Sequence, residues 1–148
     1  MAIIEGAVSR IVVEERTITE TTGAGTYTAT VEVPAAAWIL DIAVQAVALW
    51  TATTSASLEV GDGTDPDGFY TAVDLKATDL LAGESVSFAQ QGGLGGAYLP
   101  SGHILGSYAA AARTITATVV TVGAAGSAGR TRLIVAYIVP NSVAASKA

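Results

Sequence analysis

Thr26–Val33 alternates strictly. Thr26, Thr28, Thr30 and Glu32 fall on one side and Tyr27, Ala29, Val31 and Val33 on the other. That period of two predicts a strand with one wet face. Pro34 ends it, because proline cannot donate to a ladder. The same period returns over residues 114–122, where Thr114, Thr116, Thr118 and Val120 oppose Ile115, Ala117, Val119 and Thr121. It returns again over Arg130–Val139, with Arg130, Arg132, Ile134, Ala136 and Ile138 opposing Thr131, Leu133, Val135, Tyr137 and Val139. Residues 10–20 are rich in β-branched side chains and predict one or two further strands. Residues 38–50 are apolar on both faces apart from Asp41 and Gln45. A strand is favoured over a helix there. A strand apolar on both faces lies centrally, between a core and either a second layer or another subunit.

The remaining segments are shorter. Residues 57–60 predict a short strand, followed by an Asp- and Gly-dense loop over 59–70. Thr71 and Thr78 are suitable caps for a helical turn within 69–81, which Gly83 stops. Residues 85–89 alternate and predict a strand. The glycine-rich stretch 90–96 predicts a long mobile loop. Residues 97–100 and 103–108 predict edge-type segments. A Gly/Ala/Ser loop at 123–129 predicts that the last two strands form an antiparallel hairpin. Seven or eight short strands, with no long amphipathic helix and no fixed-period repeat, make the chain all-β. The architecture expected is an antiparallel β-sandwich, jelly-roll-like, with long Gly-rich loops. Residues 1–25 are expected as an N-terminal arm with the first strand or strands, 26–140 as the sandwich domain and 141–148 as a flexible tail.

A length of 148 residues suits one domain. Half the residues are hydrophobic and only 14% are charged. Much of the apolar content is Ala and Val, so the core is built from small side chains. Mean hydropathy is +0.51, yet no stretch suits a membrane span of about 20 residues. Neutral surface, part of it covered by other subunits, accounts for that combination. The net charge of −6 argues against nucleic acid as a partner. Arg130 and Arg132 share one strand face. The absence of cysteine excludes disulfides, thiolate metal sites and a cysteine nucleophile. The N-terminus lacks the basic and apolar regions of a signal peptide.

The loop at 59–70 is where carboxylates crowd. Asp62, Asp65 and Asp67, with Asp74 downstream, overlap a calcium-loop template in part. Asp65 and Asp67 would take the third and fifth ligand places, Gly68 the sixth and Asp74 the twelfth. Gly63 leaves the first place without a side-chain ligand. The competing reading is a turn, in which Asp and Gly tolerate unusual backbone angles and form Asx-turns. Neither Gly-x-Gly stretch opens a helix with dinucleotide spacing. His103, the only histidine, has Ser101 two residues away in an extended segment, a poor geometry for nucleophilic catalysis. The three loop aspartates lie close enough for a glycosidase pair, but a solvated loop would not raise an acid's pKa. Trp38 and Trp50 read as core or interface residues. No catalytic residue and no cofactor site emerges, so the chain is not expected to be an enzyme.

The succession of these features resembles small β-sandwich or jelly-roll virion proteins of tailed bacteriophages, of the head-decoration or head-fibre type. The matching residues are Val33-Pro34-Ala35, Ile39-Leu40-Asp41-Ile42-Ala43-Val44, and the run from Leu58-Glu59-Val60-Gly61-Asp62 to Asp67-Gly68-Phe69. The run from Ala128-Gly129-Arg130 to Tyr137-Ile138 completes them. The resemblance implies a non-enzymatic capsid decoration or cement protein, made in the host cytoplasm and located in the virion on the capsid surface. It implies a homo-oligomer, with a trimer favoured, bound to the major capsid protein or other virion proteins, and neither nucleic acid nor membrane. A tail, neck or fibre component is the neighbouring alternative. A carbohydrate-binding module using Tyr98 and Tyr108 is the alternative outside that class.

Overall fold

A computed structural model of the chain describes residues 9–23, 25–100, 102–124 and 126–140. The expected arm over residues 1–8 and the tail over 141–148 lie outside the described residues. Eight strands follow one another: β1 Arg10–Thr19, β2 Thr26–Val33, β3 Trp38–Ala48, β4 Ser55–Gly61, β5 Tyr70–Asp74, β6 Ser85–Val86, β7 Arg113–Val122 and β8 Arg130–Val139. They form two four-stranded antiparallel sheets packed as a sandwich. One has the order β1-β8-β3-β6 and the other β2-β7-β4-β5. Every connection except β4–β5 crosses from one sheet to the other.

The alternations decide which side chains face inward. Val31, Val33, Leu58, Val60, Ile115, Ala117 and Val119 come from one sheet and Ile42, Val44, Leu133 and Val135 from the other, all fully or almost fully buried. Each buried Val, Leu or Ile side chain contributes about 1.5–3 kcal/mol by leaving water. The polar set of β2 pairs with that of β7, Thr28 opposite Thr118 and Thr30 opposite Thr116, so this sheet turns a hydroxyl face outward.

Two local expectations fail. β7 and β8 do not form a hairpin: β7 lies between β2 and β4, and β8 between β1 and β3. Each strand has one apolar face, and placing them in opposite sheets lets those faces meet. The connecting loop of about seven residues is long enough to cross the roughly 10 Å between sheets. The caps at Thr71 and Thr78 start no helix. Among the described residues there is none, and Tyr70–Asp74 is a strand paired with β4. Trp50 is buried as expected, whereas Trp38 is 52% exposed.

One end of the sandwich is closed around Glu20, which is 1% exposed. Its carboxylate accepts hydrogen bonds from Thr51 N (2.9 Å) and Thr51 Oγ1 (2.8 Å), from Gly129 N (2.9 Å) and from Gly126 N (3.2 Å). Three crossings between the sheets therefore meet on one side chain. Beside it Trp50 donates Nε1–H to Thr131 Oγ1 at 2.8 Å and meets Tyr27 edge-to-face at 4.9 Å. Gly129 has no room for a side chain: a Cβ there would sit 2.6 Å from the Trp50 ring. Burial alone would raise the Glu20 pKa, but the hydrogen bonds from Thr51, Gly129 and Gly126 outweigh it and hold the carboxyl below its ordinary 4.5. A carboxyl whose folded pKa is depressed stabilises the fold above its unfolded value, and that contribution is lost as pH falls through the folded value. Glu20→Gln is expected to lower stability at neutral pH by about 1–3 kcal/mol. The difference from the parent narrows below pH 4.5. Urea melts at neutral and acid pH measure both effects.

Candidate functional site

The aspartate loop joins β4 to β5 at the opposite end of the sandwich. Gly61 lets it turn there, because a Cβ would run into the backbone of Asp65 and Pro66. Asp62 organises the turn, its Oδ1 accepting Thr64 N and Asp65 N, each at 2.9 Å. This is the Asx-turn chemistry expected of Asp in a tight loop. Phe69 and Tyr70 then enter the core fully buried. Tyr70 donates its hydroxyl to Ile42 O at 2.5 Å, and burial together with Asp41 pushes its pKa far above the usual phenol range.

The loop is held down by a segment whose role sequence reasoning missed. Residues 94–98, expected to be part of a mobile stretch and an edge segment, run back along the loop. Tyr98 N donates to Gly68 O (2.7 Å), Gly96 N to Phe69 O (2.9 Å) and Thr71 N to Leu94 O (3.0 Å). The Tyr98 ring packs edge-to-face on Phe69 at 5.1 Å and its hydroxyl donates to Asp62 Oδ1 at 3.2 Å. Gly68 is required beneath that ring, since a Cβ would meet it at about 2.5 Å. The only hint in the sequence is the glycines at 95 and 96, which permit close backbone approach.

Of the four calcium candidates, Asp62, Asp65 and Asp67 share the loop. Asp65 has its pKa raised by a hydrogen bond with the Asp67 side chain, then by burial and the charges of Asp67 and Asp62. Asp74 is elsewhere. It pairs with Ser57, about 13 Å along β4 from Gly61. Its Oδ1 accepts Lys76 N and its own N–H donates to Asp79 Oδ2, both at 2.6 Å. Among the described residues no group of three or more His, Cys, Asp or Glu is arranged to hold a metal. His103 is exposed, its N–H donating to Pro100 O, and Ser101 lies outside the described residues. Arg130 and Arg132 share an outward face. Arg132 Nε pairs with Glu15 at 2.9 Å and its NH1 donates to Gln45 Oε1 at 3.0 Å.

The broadest unusual feature is a surface. On the outward side of the β1-β8-β3-β6 sheet, Ile11 stands opposite Ile138 and Ile138 opposite Trp38. A bridge sets Tyr108 beside Trp38. Ile11 is 65% exposed, Trp38 52% and Tyr108 60%, with Val13 at 63% one step along β1. Cross-strand partners project from one face, so these side chains form a continuous apolar row across the sheet. Sequence periodicity identified the strands but not the row, which exists only through their lateral order.

No protein-family model and no curated protein matches the chain. Two solved structures resemble it in fold. One is from the acid-stable capsid of Helicobacter pylori bacteriophage KHP30, with 16% identity over 90% of this chain and 95% of that one, at a TM-score of 0.52. The other is from the capsid asymmetric unit of cyanophage Pam1, with 20% identity over 95% and 92%, at a TM-score of 0.55. At these identities the likeness is one of fold, and it extends over nearly the whole of each chain.

A carboxyl with a raised folded pKa favours the fold at low pH and loses that contribution as pH rises. Asp67→Asn, which removes the neighbouring charge from Asp65, is therefore expected to raise the melting temperature at neutral pH. Gly61→Ala is expected to lower it. With Asp74 removed from the loop and no metal-holding group of three among the described residues, neither millimolar Ca²⁺ nor excess chelator should move the melting curve. A calcium-dependent rise would revive the metal reading.

Proposed function

We propose that the chain is a non-enzymatic structural protein of a phage capsid, most specifically a decoration subunit that mounts on the assembled shell as an oligomer. Its strand order, with crossings between sheets at every step but one, is read as a jelly roll. The observation that carries the proposal is the apolar row through Ile11, Ile138 and Trp38, joined by Val13. Isolated exposed apolar residues are ordinary, but a contiguous patch marks a surface that another protein covers. The other sheet offers a contrast: Thr28, Thr30, Thr116 and Thr118 face outward with Glu32 and Glu59 beside them, and the exposed Val120 and Val122 have the polar Thr26, Ser57 and Ser55 as cross-strand neighbours. A subunit with an apolar row on one face fits a particle surface, with that row toward protein and the hydroxyl-lined sheet toward solvent. The fold likeness to two phage capsid structures supports the same reading. Self-association, with three copies favoured, belongs to it.

The test is retention on heads assembled without this protein, combined with mass measurement of the free protein. The parent is expected to sediment with heads and to be oligomeric alone. Ile11→Lys with Val13→Lys is expected to weaken retention by tenfold or more, the scale of an interface hot spot. Both positions are exposed, so the monomer's melting temperature should change little. A parent protein that is monomeric and not retained would overturn the proposal.

A further inference from the structure

Beyond Tyr108 the surface becomes concave. A cleft of about 580 Å³ lies between the turn at Asp62 and Thr64 and the segment leading into β7, within the roughly 300–1,000 Å³ range of ligand sites. Its lining includes small residues, Ala109, Ala111 and Ala112 among them. Tyr108 stands at its rim with an exposed ring.

The polar groups in it are few and held in place. The hydrogen bonds that Asp62 accepts from Thr64, Asp65 and Tyr98 all fall on Oδ1, which leaves Oδ2 to accept from outside. The Thr64 side chain is exposed. Arg113 donates NH1 to Gly106 O and NH2 to Ser107 O, the second at 2.9 Å, so its guanidinium fixes the wall. An anion would face the Asp62 carboxylate and a guanidinium already committed to two backbone carbonyls. A metal ion would find a single carboxylate in the cleft. A wholly apolar molecule would bury Asp62 Oδ2 without a partner. The chemistry that remains is a neutral ligand with hydroxyls for Asp62 and Thr64 and an apolar ring face for Tyr108.

We propose that this cleft binds a saccharide unit of a glycan, with Asp62 Oδ2 and the Thr64 hydroxyl engaging sugar hydroxyls and the Tyr108 ring stacking on the sugar's C–H face. The site adjoins the docking row, since Tyr108 stands beside Trp38, whereas Ile11 lies at the row's other end and away from the cleft.

The test is a glycan array with the free protein, followed by saturation-transfer NMR on the best-bound oligosaccharide. Binding is expected at about 1 mM or tighter. Tyr108→Ala and Asp62→Asn are each expected to weaken it by roughly tenfold or more. The Asn variant keeps the Oδ1 acceptor that organises the loop, and an unchanged melting temperature checks this. Thr64→Trp, at an exposed position, should fill the cleft and abolish binding even if Asp62→Asn disturbs the fold. Ile11→Lys should leave glycan binding intact while lowering head retention, so this site and the docking proposal fail separately. No saturation transfer from any array glycan at about 1 mM would overturn the inference. So would binding that survives both Tyr108→Ala and Thr64→Trp.

Discussion

A single buried carboxylate governs how the two sheets are joined at one end. Glu20 sits just past β1, and its acceptors collect N–H and hydroxyl groups from Thr51, between β3 and β4, and from Gly126 and Gly129, between β7 and β8. Each of these loops carries the chain from one sheet to the other, so its backbone donors have no ladder to enter. An unsatisfied buried donor is costly, and one ionised acceptor with two oxygens meets several of them at once. Trp50, Tyr27 and Thr131 close the space around it. The core can then be built from small aliphatic side chains, because the sheets are held in register at their end as well as by their area of contact.

The other end solves the same problem differently. There the loop at Asp62 is stapled by backbone hydrogen bonds to residues 94–98, and the segment at 106–107 is held by Arg113. These bonds leave a shallow cleft rather than a plug, with an exposed aromatic at its rim. The two ends thus differ in kind. One is packed and depends on a charge that acid removes, while the other is open and turns polar groups toward solvent.

The two outward faces differ as well, and that contrast bears most on function. Both derive from the same sequence period. In β2 and β7 the outward set is mostly threonine, with Glu32, Val120 and Val122 among it, whereas in β1, β3 and β8 it includes isoleucine, valine and tryptophan side by side. A face becomes an interface only when such residues stand side by side, which requires β8 to lie between β1 and β3.

The strands were largely legible because a one-sided burial constraint writes itself as alternation. Thr26–Val33 and Arg130–Val139 end where expected, and β3 was recognised from its apolar run. The turn chemistry of Asp62 could also be read, since it follows from neighbours in the chain. The false hairpin between β7 and β8 shows where that reasoning ends: alternation states which side of a strand is dry but not which strand lies beside it. Asp74 was grouped with the loop by sequence spacing, and the β4–β5 pairing carried it away along the strand. The carboxylate of Glu20 and the row from Ile11 to Tyr108 left no local signature, and the clamp at 94–98 left only its glycines, because each is made by residues tens of positions apart. Local chemistry determined the all-β class, the strands and their inner faces. Only the tertiary structure decided which side chains became neighbours, because lateral strand order arises from satisfying both sheets, and every crossing between them, at once.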